Sequence, residues 1–289
     1  MLKGINQWCY PAGTPLEKVF EYSRDAGFDA VELNVNEPGD VGLTMETTKD
    51  EALQIVELAS SYGLKLRSIS TALLWKLPLS HRSESVREQG RQVVEKQLEL
   101  AETMGIDTVL VVPGVVDENT SYEECYDRSR IELEKLIPLA EEYQVNIGIE
   151  NVWNKFLLSP LEMARYIDEF QSDYVGAYFD VGNVLLFGYP EQWIRILGER
   201  IKKVHVKDFS TAVGNINGFV PLLAGDVNWL EVYKALVEIG YEDPITAELT
   251  PYQIDPFSLA DETANDMERI LKLGKEYLEK GGVGSDANS

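Results

Sequence analysis

The stretch VNIGIENVWNKFLLSPLEMARYIDEFQSDYVGAYFDVGN, residues 145–183, decides the fold. It opens with an apolar run, VNIGIENV (145–152), whose Val and Ile are nearly continuous rather than alternating, as in a strand covered on both faces. Ser159-Pro160 then places a capping hydroxyl before a proline at the head of an amphipathic segment, 159–170. A second apolar run, VGAYFDVG (175–182), completes a strand–helix–strand unit.

The same unit recurs in both directions. Further strand-like runs are LKGINQW (2–8), FDAVELNV (28–35), LKLRSIST (64–71), DTVLVVPG (107–114), IKKVHVKD (201–208) and DPITAELT (243–250). Helix-like segments fall at 15–26, 47–62, 83–104, 121–142, 190–199, 229–239 and 258–280. Thr14-Pro15 reads as a helix start, and Asp226 and Asn228 are two candidate caps for the helix after 228. Gly27, Gly63, Gly105 and Gly240 stand where left-handed helix ends are needed. Eight strands alternating with eight helices predict α/β architecture, a single (β/α)8 TIM barrel over 1–280 with a flexible tail at 281–289. A doubly wound sheet is the runner-up. It would favour a Gly-rich phosphate loop, and neither GxGxxG nor GxxxxGK[ST] occurs.

Composition narrows the function. With 26 Lys+Arg against 49 Asp+Glu, the net charge of −23 repels phosphate backbones and argues against a nucleic-acid partner. No run approaches the ~20 apolar residues of a membrane helix, so no membrane role is expected. The opening MLKGINQWCYP meets a polar residue and a proline too early for a secretory signal. Cys9 and Cys125 read as reduced thiols of a cytoplasmic protein. His81 and His205 are the only histidines, which excludes a zinc cluster built from many imidazoles.

In such a barrel the carboxyl ends of the strands share one mouth. The last four strands end at or near Glu150, Asp180, His205 and Glu248, each a charged or titratable interruption of an apolar run that needs a partner. A lone carboxylate at a strand end is usually a cap, and a lone buried His usually a hydrogen-bonded core residue. Four coincident strand ends weaken both readings together. Three carboxylates and an imidazole form a hard N/O set suited to one divalent ion, Mn²⁺ first, with Mg²⁺, Co²⁺ or Zn²⁺ as alternatives.

The segments IGIENVWNKF, YFDVGN, VHVKDF and ITAEL, in this order, resemble the xylose isomerase-like TIM barrels. Within them the chain resembles the sugar and sugar-phosphate isomerase/epimerase branch, with the tagatose/psicose 3-epimerases, hexulose-6-phosphate isomerases and ribulose-5-phosphate 3-epimerases. The resemblance implies that Glu150, Asp180, His205 and Glu248 bind the metal and that Glu150 and Glu248 form the acid/base pair on opposite sides of a ketose. It also implies a small-molecule sugar or sugar-phosphate substrate and a homo-oligomer. Where the tagatose/psicose type carries Glu, His and Arg, this sequence has Phe156, Asn183 and Thr211, so the contacts that steer free ketohexoses are changed.

Substrate-binding candidates surround the quartet. Asn183 can hydrogen-bond a hydroxyl. Lys207, two residues after His205, faces the same way and either reaches a substrate oxygen or pairs with Asp208 or a metal carboxylate. Trp8, with Tyr10, and Trp153, with Asn154 and Lys155, are candidate walls; Glu32 is in register to reach the mouth. His81, with Arg82 and Arg87, either binds a phosphate or caps the helix at 83–104. The leading reading is therefore an enediolate-forming, metal-dependent ketose 3-epimerase or aldose–ketose isomerase. A dehydratase of inosose type on the same scaffold is the alternative, followed by a non-catalytic sugar-binding barrel. An abasic-site endonuclease is disfavoured by two histidines and the acidic charge.

Overall fold

The computed structural model describes residues 1–280; the expected flexible tail, 281–289, lies outside the described residues. Eight parallel strands form the barrel: β1 (Lys3–Asn6), β2 (Ala30–Asn36), β3 (Lys65–Ser70), β4 (Thr108–Val111), β5 (Asn146–Glu150), β6 (Val175–Asp180), β7 (Ile201–Val206) and β8 (Ile245–Ala247). Each pairs with the next, and β8 closes on β1 through Lys3↔Ile245 and Ile5↔Ala247. Helices on the outside cover the strands, which explains runs with little alternation.

Register fixes what shares a level inside the barrel. Asp180 lies beside His205, His205 beside Thr246, and Glu150 beside Tyr178. Because side chains alternate, Tyr178 and Asp180 stack along β6 and Lys203 and His205 along β7. Gly148 gives Tyr178 its space: a Cβ there would lie 3.0 Å from that of Tyr178. At the amino-terminal end, Lys203 Nζ meets Asp107 at 2.7 Å and also pairs with Asp243, while Arg67 reaches both carboxylates at 2.8 Å.

Several local expectations hold for physical reasons that the structure makes explicit. Ser159 and Asn228 accept from the amides of Glu162 and Glu231, capping α6 (Pro160–Asp168) and α8 (Trp229–Glu238). Gly27 and Gly105 close α1 (Leu16–Ala26) and α3 (Glu84–Met104) in the left-handed region. Others need correction. The helix read over 121–142 is two, α4 (Tyr122–Glu134) and α5 (Ile137–Tyr143), because Pro138 cannot donate within a continuing helix. Thr14 donates to Pro11 O instead of capping α1, and Asp226 binds the amide and hydroxyl of Thr211. A short hairpin, Asp208–Phe209 with Phe219–Val220, follows β7.

Candidate functional site

Glu150 ends β5, Asp180 ends β6, His205 lies on β7 and Glu248 follows β8, so four consecutive strands deliver four side chains to one point. One ligand atom from each lies within 4.8 Å of the others. His205 Nδ1 stands 3.2 Å from Glu248 Oε2 and 4.0 Å from Asp180 Oδ2. Asp180 and His205 are fully buried, and Glu150 is nearly so.

A buried cluster of three carboxylates is costly without positive charge. Two protein groups supply some. Lys207 Nζ lies 2.8 Å from Glu248 Oε2 and 3.1 Å from Asp180 Oδ2. Burial raises the Glu248 carboxyl, but Lys207 and His205 outweigh it and hold the group well below the usual carboxylate range. Glu150 has no such neighbour at contact, and burial together with Glu248 pushes it up to about 8. Even so, Asp180 Oδ2 and His205 Nδ1 have no hydrogen-bond partner: Lys207 and Glu248 lie close by without hydrogen-bonding geometry. Two buried polar atoms without a hydrogen-bond partner among the described residues, 4.0 Å apart and with two further carboxylates beside them, match the donor set of a hard divalent cation, which would take Nδ1 in its deprotonated form.

Beneath the quartet runs a polar network that the sequence reading missed. Glu32 is 1% exposed, and its carboxylate accepts from His205 Nε2 at 2.6 Å, from Ser68 Oγ at 2.5 Å and from Asn6 and Tyr178. Asn34 and Ser70 extend the network through Asn6. The expected place of Glu32 at the open mouth is therefore corrected: it lies under His205 and holds the ring so that Nδ1 points into the cluster. The available signal was polar residues at every second position of early strands, as in Glu32–Asn34 and Ser68–Ser70.

Above the quartet opens a cavity of about 700 Å³, lined among others by Trp8, Trp153, Asn183, Lys207 and Glu248. Trp75 and Phe219, not anticipated from the sequence, join this wall. Trp153 packs edge-on to Phe209 and tilted on Phe219, and its Nε1 donates to Asn183 O at 2.8 Å. Asn183 donates through Nδ2 to Asn151 O, and its amide donates to Asp180 Oδ1, so it braces one face of the Asp180 carboxylate. Of the two readings of His81, the substrate-binding one is corrected and the helix cap holds. Its Nδ1 accepts from Ser83 N at the head of α3, and Arg87 is engaged by Glu132 and by His81 O, so this group caps a helix and does not line the cavity. Cys9 and Cys125 are buried free thiols. No helix of the described residues is long and apolar enough to cross a membrane.

Comparison with known proteins agrees with this architecture. Residues 20–273 match the family described as the xylose isomerase-like TIM barrel. The L-ribulose-5-phosphate 3-epimerase UlaE of Escherichia coli O1:K1 / APEC is 25% identical over 276 residues, 95% of this chain and 93% of that protein. Among solved structures, an L-ribulose 3-epimerase superposes with a TM-score of 0.81 at 19% identity, covering 100% of this chain and 99% of its own. A D-tagatose 3-epimerase-like protein gives a TM-score of 0.79 at 22% identity, with 96% and 100% covered. The match over most of the chain, on a closed eight-stranded barrel, makes this protein a member of the xylose isomerase-like TIM barrel family.

Proposed function

We propose that the protein is an isomerase, a divalent-metal-dependent epimerase or aldose–ketose isomerase acting on a ketose or ketose phosphate. The observation that carries the reading is the meeting of Glu150, Asp180, His205 and Glu248, two of them with buried polar atoms that lack a hydrogen-bond partner among the described residues, next to a sugar-sized cavity that Glu248 and Lys207 line. The epimerase relatives support the reaction class. A bound Mn²⁺, or Mg²⁺, Co²⁺ or Zn²⁺ in its place, supplies Lewis-acid stabilisation of the negative charge that develops on a ketose carbonyl oxygen.

The protein's own groups do the rest. Glu150 comes from β5 and Glu248 from beyond β8, with two strands between them, so the carboxyls reach the substrate space from different sides. Lys207 keeps Glu248 ionised, fit to take a proton from the carbon beside the carbonyl. The carboxyl of Glu150 would then return a proton to the other face, which would invert the carbon. Trp8 and Trp153 offer apolar faces to the carbon side of the sugar and exclude water.

Solvent deuterium uptake into a ketose panel tests this. Exchange should require metal, give products of unchanged mass apart from the label, and fall about 10²–10⁴-fold in Glu150→Gln or Glu248→Gln. Loss of water from the substrate would replace the epimerase with a lyase, and sugar binding without exchange would leave only a binding barrel.

A further inference from the structure

We infer that the substrate is a neutral ketose, with no phosphate, an inference that rests on the epimerase reading above and names its substrate class. A dianionic phosphate in a low-dielectric cavity needs cations or a cradle of free amides. Of the described residues lining the cavity, Lys207 is the sole cation. Its ammonium donates to Glu248 at 2.8 Å and lies 3.1 Å from Asp180 Oδ2, at the reacting end. The outer wall, where the far end of a sugar would lie, is uncharged and largely apolar: Trp75 and Ile216, 44% and 67% exposed, stand at the rim with Phe219 and Pro251, beside Thr250 and Tyr252.

The amides on the β7 side are engaged as well. TIM barrels often hold phosphate in the loops after the seventh and eighth strands, against a helix N-terminus. Here the chain just after β7 carries Asp208, a fully buried carboxylate. Its Oδ1 accepts from the amides of Phe209 at 2.9 Å and Val227 at 3.1 Å, and its Oδ2 accepts from Trp229 Nε1 at 3.0 Å. Gly225 packs so closely that an added Cβ would lie 2.3 Å from Asp208 Oδ1. The Asn228 side chain takes the amide of Glu231 in the first turn of α8. The amides of Phe209, Val227 and Glu231 on this side are thus bound to the protein's own oxygens, and a second anion beside Asp208 would be repelled.

Calorimetric titration of the Mn²⁺-loaded protein with L-ribulose and L-ribulose 5-phosphate tests this. The neutral sugar should bind at least roughly a hundredfold more tightly. Equal or tighter binding of the phosphate, or binding of neither, overturns the inference. Ile216→Arg, a change at the exposed rim, should raise phosphate-ester affinity about tenfold by adding a charged donor; no gain overturns the account of exclusion by missing cations. Deuterium exchange in the same samples separates the two claims. Exchange into the phosphate alone sinks the neutral-substrate inference and keeps the epimerase, whereas tight neutral binding without exchange does the reverse.

Discussion

Glu32→Gln isolates what the network under the candidate metal site contributes. In the structure one carboxylate receives four donors: His205 Nε2 and Asn6 on Oε1, and Ser68 and Tyr178 on Oε2. The amide keeps one acceptor oxygen, which can continue to take His205 and Asn6. The new NH₂ then meets two hydroxyls, and both can rotate to accept from it. The fold should therefore survive, with the loss confined to the charge on the acceptor. Bonds to a charged group are worth about 1.5–3 kcal/mol, so a destabilisation of about 2 kcal/mol is expected. The functional effect is on the ring. Without a carboxylate on Nε2, His205 is a weaker and less firmly oriented donor through Nδ1, and Mn²⁺ affinity should fall about 10–100-fold. Paramagnetic resonance of free Mn²⁺ measures this without turnover, beside a melting curve. Wild-type affinity in a folded Glu32→Gln protein would refute the claim that Glu32 works through His205.

Other consequences follow from the same geometry. In chelator, the raised Glu150 carboxyl means that the native state binds a proton the unfolded chain has lost, so melting temperature should fall as pH rises from about 4.5 to about 8, and saturating Mn²⁺ should remove that slope. Glu132 on α4 behaves oppositely. Burial opposes its ionisation, but Lys135, Arg87 and Arg91 hold its carboxyl at about 2, so its stabilisation is present above about pH 4.5 and is lost as pH falls toward 2. Glu132→Gln should cost roughly 3 kcal/mol in denaturant melts at neutral pH, with no change in Mn²⁺ affinity. His81→Ala should cost about 1 kcal/mol or less through the lost contact to Ser83 N, with sugar binding unchanged in calorimetry; weakened binding would return His81 to the site.

The barrel was legible because each strand is buried on both faces and each helix on one, so periodicity and punctuation carry the topology. The quartet was legible because charged groups closed apolar runs on four consecutive strands. What the sequence concealed was direction within the lumen. Glu32 and Glu150 each sit in an apolar strand, yet one lies under the candidate metal-binding quartet and the other within it, a difference set by barrel stagger and not by local sequence. His81 stayed open between two readings because a basic cluster reads alike whether it binds an anion or its own Glu132, and only the packing of α3 on α4 decides. Asp208 was noted as a possible partner of Lys207, but its bonds to Val227 and Trp229 depend on a hairpin return that nothing near residue 208 announces.

The claim on which the rest depends is that one cation is shared by residues from four strands. Titration of the purified protein with Mn²⁺, counting bound ions, tests it most directly. The account predicts one tight ion per chain and its loss in both Asp180→Asn and His205→Ala proteins that still melt cooperatively. Absence of tight binding in the wild type, or binding that either substitution leaves intact, would contradict it.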